Sequence, residues 1–356
     1  MFRKTFLINL FTVLTFGISA EYSYSKDGHE GHDHSSHAGS DKKFYLHGGF
    51  KLHADSIVDT HEEREEVDEV HTHSHLEVGY NLNKKLWTGD ALINNPDIIK
   101  NIHKKYVNAG ADFISTSTYQ VSYDSLNEMG YSLSEIKNIL KKSVDISRYA
   151  IDETIDSNKV KVVGSFGPFA SYKPDASEYE GIYQANDDEI INYHANNINL
   201  INELELDIVL FETIPCLREI KILVDLLPRL NKEAWVSMTC NEEINFRDNS
   251  SIDQACKLIE KIGNVSTIGM NCFSPLLVEK VIEKLKSLSS KKVLIYPNSG
   301  EVYDPIRKKW YGENKFDNNL IKKWLSLSPD IIGGCCRIGD DVIKLMREEI
   351  DNQNNK

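Results

Sequence analysis

Cysteine is absent before position 216, and an excess of basic residues is absent from the chain as a whole. Lys and Arg number 41 against 54 Asp and Glu, a formal net charge of −13, which argues against a nucleic-acid partner. Proline and glycine are not enriched, at 9 and 20 residues. Beyond the first twenty residues no apolar run is long enough to span a membrane as a helix. The six cysteines are Cys216, Cys240, Cys256, Cys272, Cys335 and Cys336. A chain this large does not need a disulfide framework, so a metal site is the better reading wherever their positions converge in the fold.

What is present divides the 356 residues into unlike pieces. The opening "MFRKTFLINLFTVLTFGISA" has a basic start, an apolar run and a small-residue end, the pattern of a secretory leader. Residues 27–78 carry 13 acidic and 4 basic side chains, and ten of the twelve histidines fall between His29 and His75. Within this part, "DGHEGHDHSSHAG" reads as a polar linker able to capture metal weakly. "KFYLHGGFKLHADSIVD" and "HTHSHLEVGYNLN" read as short strands flanking an acidic spacer, of the barrel itself or of another architecture.

From about Leu86 the pattern changes. The runs at 111–119, 161–169, 207–214, 234–240, 265–272, 292–299 and 330–336 are apolar without strict alternation, as strands buried on both faces require. Helical stretches lie between them. One opens at Pro96 and closes at Gly110, with the start and stop chemistry of a helix. Alternation of this kind predicts an α/β chain folded as a (β/α)8 TIM barrel, with a doubly wound open sheet as the alternative. Seven strands are legible from position 86 onward, so closure requires an eighth earlier in the chain.

In such a barrel the chemistry sits at the C-terminal ends of the strands. Cys272 closes "IGMNC", Cys335 and Cys336 close "IGGCC", and Glu212 closes "LFET". Three thiolates with an open fourth position make a catalytic zinc site rather than a closed structural one. Gly333 and Gly334 permit the close approach by which neighbouring cysteines can face one ion. Two readings compete: a vicinal disulfide at 335–336, and a structural zinc completed by another protein ligand such as Cys240. Cys216 and Cys256 fit as small packed hydrophobes.

The motifs "TSTYQ", "GSFGPF", "FETIPC", "GMNCFSP", "YPNSGEVYD" and "IGGCCR" occur in that order. They resemble the homocysteine S-methyltransferase family, a zinc-dependent (β/α)8 barrel, and in particular its branch using S-methylmethionine or S-adenosylmethionine. The resemblance runs from about Leu86 to Glu349. It implies Zn²⁺ held by Cys272, Cys335 and Cys336, with the homocysteine thiol as fourth ligand attacking the methyl carbon of a sulfonium donor to give methionine. It further implies that Glu212 holds the homocysteine ammonium. Asn271 and Thr118 are expected in the substrate pocket, and Arg337 is expected either to neutralise the anionic centre or to make a surface salt bridge. No cobalamin or folate module is evident, which favours a small donor. No feature specifies an oligomeric state.

Departures from the family pattern fall at the front. The family opens with an Asp-Gly-Gly strand end, for which the nearest match is "LHGGFKL", with His47 at the Asp position and Leu52 at a threonine position. Either this first strand is degenerate and carries an insertion, or an exported segment is joined at about Leu86 and leaves the barrel with an open seam. The chain would then be an inactive metal-binding protein using His29, His32, His34, His37, His71, His73 and His75. Ile338 also replaces a threonine after "CCR". The leader implies export, whereas three thiolates and a homocysteine substrate suit a reducing cytoplasm.

Overall fold

The computed structural model describes residues 6–9, 86, 88–154, 160–173, 180–304 and 309–354, with backbone alone at 6–9, 302–304, 309–310 and 354. In chain order the elements begin with β1 (Phe6–Asn9), α1 (Thr88–Asn94), α2 (Pro96–Asn108), β2 (Phe113–Ser115), α3 (Tyr123–Glu128) and α4 (Leu133–Asp152). They continue with β3 (Lys161–Phe166), α5 (Asp187–Ile201), β4 (Ile208–Ile214), α6 (Leu217–Leu226), β5 (Ala234–Met238) and α7 (Ile252–Ile259). The chain then forms β6 (Val265–Asn271), α8 (Val278–Leu288), β7 (Lys292–Tyr296), the hairpin β8 (Val302–Asp304) and β9 (Lys309–Tyr311), α9 (Asn318–Ser326), β10 (Ile331–Gly334) and α10 (Asp340–Asn354).

Eight parallel strands close a barrel in the order β1-β10-β7-β6-β5-β4-β3-β2. All seven runs expected as strands are strands, and the open doubly wound sheet is not the architecture. The eighth strand comes from a place not expected to supply one. Phe6–Asn9, inside the leader-like stretch, pairs with Ile331–Gly334 on one side and with Phe113–Ile114 on the other. The seam of a barrel lacking its first strand is thereby filled. "LHGGFKL" and "HTHSHLEVGYNLN" lie outside the described residues.

Local chemistry sets the helix starts. Ser132 and Glu135 form a reciprocal capping box that opens α4 at Leu133, and Asn186 with Glu189 does the same for α5. Pro96 stands at the first position of α2, where its missing N–H costs nothing. Alternate strand residues face opposite sides of the sheet, so two cores result. Val209 and Phe211 of β4 belong to the core packed beneath the helices, whereas Ile208 and Leu210 fill the barrel interior with Phe113, Val163, Trp235, Leu294 and Ile331. Phe113 meets Trp235 edge-to-face across that interior, ring centroids 5.1 Å apart. Burying one such ring stabilises by about 1.5–3 kcal/mol. Cys272, Cys335, Cys336 and Tyr296 form the upper end of the interior cluster, so the barrel core leads directly to the thiols. No described helix is long and apolar enough to cross a membrane.

Candidate metal centre at the barrel rim

Cys272 follows the last residue of β6, and Cys335 and Cys336 follow the last residue of β10. All three are buried, and their sulfurs lie within 4.8 Å of one another. None is in a disulfide, so the vicinal-disulfide reading is not the arrangement seen. Around an ion bound by thiolates at about 2.3 Å, tetrahedral geometry places sulfurs about 3.8 Å apart, and this donor set is compatible with that. Cys240 is not part of the group. Burial pushes the Cys240 thiol up to about 12, and does the same to Cys216 and Cys256, each packed away from water.

The segment after β7 holds both thiol-bearing ends in register. The Cys272 N–H donates to the Tyr296 carbonyl (3.3 Å), the Asn298 N–H to the Phe273 carbonyl (2.9 Å) and the Cys335 N–H to the Pro297 carbonyl (2.8 Å). The Ser299 N–H donates to the Cys336 carbonyl (3.1 Å), while the Cys336 N–H reaches Asn298 Oδ1 at 3.3 Å. Cys272 has φ +56°, in the left-handed region, and so do Arg337 (+63°) and Thr213 (+60°) around the same rim. Such conformations cost energy and persist where surrounding bonds enforce them. An added Cβ on Gly334 would lie 2.1 Å from Ile338 Cγ2, so the glycine is needed for Ile338 to fold back over the strand end. The Tyr106 hydroxyl of α2 anchors the same turn by donating to the Ile338 carbonyl at 2.8 Å.

The thiols do not share their proton affinity equally. Burial acts to raise Cys272, but hydrogen bonds from Cys335 and Cys336, the Arg247 charge and the Asn298 amide outweigh it and hold this thiol well below the usual range. Cys335 and Cys336 are driven well above it by burial and then by hydrogen bonding with Cys272, whose charge adds to the effect. A cation placed among the sulfurs would stabilise all three as thiolates.

Glu212 is fully buried at the end of β4, where the register slips between Phe211 and Ile214. Its Oε1 accepts from the Ser165 hydroxyl and its Oε2 from the Tyr296 hydroxyl at 3.1 Å. Burial, and then the Glu212 charge, raise Tyr296 well above its ordinary value, so it remains a hydroxyl donor. Thr118 joins this group at one remove, its hydroxyl donating to the Ser165 carbonyl at 2.6 Å. Asn271 is engaged on every side. Its Oδ1 accepts from the Thr213 N–H (3.0 Å) and the Ser237 hydroxyl (2.7 Å), and its Nδ2 reaches Thr213 Oγ1 (2.7 Å) and Cys335 Sγ (3.9 Å).

Arg337 takes the second of its two expected roles, a salt bridge, although a buried one. Its Nε and Nη2 grip Glu301 at 2.5 and 2.7 Å, so a carboxylate pairs with its charge. Tyr296, Asn298, Ser165 and Arg247 were not expected at the site. The first two lie in the quoted "YPNSGEVYD" motif and Ser165 in "GSFGPF", which read as strand and turn, whereas a lone arginine carries no pattern of its own.

A closed parallel barrel with three buried thiols and an acid at its C-terminal rim is an enzyme architecture whose donor set could hold a metal ion. The chain belongs to the homocysteine S-methyltransferase family, whose model matches residues 70–350. It is 32% identical over 290 residues to homocysteine S-methyltransferase 1 of Brassica oleracea var. italica, covering 76% of this chain and 89% of the relative. It is 33% identical over 269 residues to homocysteine S-methyltransferase YbgG of Bacillus subtilis, covering 73% and 85%. The metallated crystal form of the Escherichia coli homocysteine methyltransferase MmuM superposes with TM-score 0.66 at 27% identity, covering 76% of this chain and 90% of that one.

Proposed function

We propose that this protein transfers a methyl group from a sulfonium donor, S-methylmethionine or S-adenosylmethionine, to the sulfur of homocysteine, giving methionine. The observation that carries the reading is the meeting of Cys272, Cys335 and Cys336, within 4.8 Å of one another, on a rim that also bears buried Glu212. Family membership supports the acceptor, and the names of the relatives support homocysteine in particular.

The three cysteines would hold a zinc ion. Bound there, zinc supplies Lewis acidity that turns a substrate thiol, with an ordinary pKa of about 8.5, into a thiolate at neutral pH. The protein's own groups do the rest. Glu212, oriented by Ser165 and Tyr296, offers a negative charge to the substrate ammonium. Asn271 ties the β4 turn bearing Glu212 to Cys335, so ammonium and sulfur subsites are set at a fixed spacing. Thr118 steadies the Ser165 backbone and completes the pocket wall. The substrate sulfur loses its proton to solvent and attacks the methyl carbon in line. As the new C–S bond forms, the donor's methyl–sulfur bond breaks, and its electron pair leaves the donor sulfur as a neutral thioether. Positioning of the two sulfurs accounts for much of the rate in such a displacement.

A reducing compartment is part of the reading, since three free thiols must persist. Retention of the leader-like stretch is part of it too, since Phe6–Asn9 supplies a barrel strand. The test combines metal analysis of purified protein with a methyl-transfer assay using each donor. The expected result is one zinc per chain and methionine formation that Cys336→Ser abolishes. A zinc-free protein, or an active Cys336→Ser variant, would overturn the mechanism.

A further inference from the structure

Arg247 lies between β5 and α7, and the sequence around it gives no hint of a role. Its Nη2 donates to the carbonyl oxygen of Cys272 at 3.1 Å, alongside the Thr239 hydroxyl, which donates to the same oxygen at 3.1 Å. This carbonyl belongs to the residue whose backbone is held at φ +56°. The other arginines near acids are spoken for: Arg148 faces Asp207, Arg218 faces Asp187, Arg337 faces Glu301 and Arg347 faces Asp112. Arg247 has no ion-pair partner among the described residues, and its Nε is buried with no hydrogen-bond acceptor among them. An unpaired, partly buried guanidinium is costly unless an anion stands nearby.

The loop carrying it is preorganised. Asn241 Oδ1 accepts from the backbone N–H groups of Glu243 (3.1 Å) and Asn245 (3.0 Å), and its Nδ2 donates to the Phe246 carbonyl (3.2 Å). The Arg247 N–H is itself fixed to the Pro215 carbonyl at 3.1 Å, tying this loop to the turn after β4. The guanidinium is therefore delivered from a rigid base and does not wander over the surface.

We infer that Arg247 is the positioning residue and counter-cation of the thiol centre, the part that the sequence suggested for Arg337. This rests on the function proposed above. Three thiolates around a divalent ion carry net charge −1, and a bound substrate thiolate makes it −2. Arg247 offsets that charge and, with Thr239, holds the carbonyl that keeps Cys272 turned toward its partners. Its effect passes through Cys272, whose carbonyl it holds.

The test compares wild type, Arg247→Gln and Arg247→Lys, with folding checked by circular dichroism. Zinc affinity is read by competition with a chromophoric chelator, and homocysteine affinity from the thiolate-to-metal band of the cobalt-loaded proteins, without turnover. Arg247→Gln keeps an amide donor but no charge, and should lose 10–100-fold in both affinities, the range typical of groups that support metal ligands. Arg247→Lys keeps the charge and should stay within about fivefold of wild type on the same scale. If the Gln variant binds zinc and homocysteine like wild type, or if Lys falls as far as Gln, the inference is overturned while the proposed function stands. A wild type that takes up no zinc overturns both.

Discussion

The amide nitrogen of Asn271 lies 3.9 Å from Cys335 Sγ, while its oxygen accepts the Thr213 N–H at 3.0 Å, so one side chain links a thiol on β10 to the strained turn beside Glu212. Replacing Asn271 by Ala leaves a buried N–H and two hydroxyls without their partner. Each orphaned group costs about 1–3 kcal/mol, so the midpoint in urea should fall clearly. Asn271→Asp should be worse for metal retention than for folding, because it sets a carboxylate beside the sulfurs. Denaturation curves and zinc content, measured on both variants, separate the two effects.

Gly334 and Ile338 make a second checkable pair. Gly334→Ala would drive a methyl into Ile338, whose Cγ2, Cβ and Cγ1 lie 2.1, 2.4 and 2.7 Å from the new atom's place. Overpacking of this kind costs about 1–3 kcal/mol and shifts the turn that carries both cysteines. The double variant Gly334→Ala with Ile338→Ala removes two of the three colliding atoms and should recover part of the loss. Recovery of thermal stability with zinc binding still impaired would locate the residual damage in the turn itself.

Most of the barrel was legible in the sequence because parallel strands buried on both faces read as unbroken apolar runs. The start of α4 at Leu133 is explained by the chemistry of its cap, Ser132 with Glu135. The short α3 and the β8–β9 hairpin carry too few residues for a period to emerge. Helix α9 had its signals, an Asp317 cap and apolar Ile321, Trp324 and Leu325 on one face, but on only nine residues. The thiols were readable because two strand ends present them together. Their supporting shell was not, since Arg247, Asn298 and Ser165 act through contacts between segments far apart in the chain. "FLIN" was ambiguous for a physical reason: an apolar run after basic residues satisfies both a leader and an interior strand.

Buried His103 of α2 predicts the acid limb of stability. Burial lowers it from 6.5 to about 3, so the folded protein keeps it neutral while the unfolded chain takes up a proton below about 6.5. Stability is therefore unaffected by this group at neutral pH and falls as pH drops from 6.5 toward 3, by about 1.4 kcal/mol per pH unit at most. Its ring packs against Ser147 of α4, with Oγ 3.4 Å from Nε2. In urea titrations at pH 7, 5.5 and 4.5, His103→Gln should be less stable than wild type at pH 7. The gap should narrow as pH falls. Parallel curves would mean that His103 does not titrate in this window.

Strand β1 gives the sharpest test of the fold. Ile8 pairs with Gly333 on one side and Phe113 on the other, so it sits inside two ladders, one of them leading to Cys335. Proline there removes a backbone donor and restricts φ, which a central strand does not tolerate. Ile8→Pro should therefore lower the melting temperature and weaken zinc retention. Ile8→Val, which preserves β propensity, should do neither. If β1 closes the barrel in solution, removal of residues 1–20 should be at least as damaging as the proline. Mass spectrometry of the mature protein should then find Phe6–Asn9 still attached. A chain without this segment that melts at the wild-type temperature and holds zinc would show that the barrel closes without it, and the leader-like stretch would return to being a leader alone.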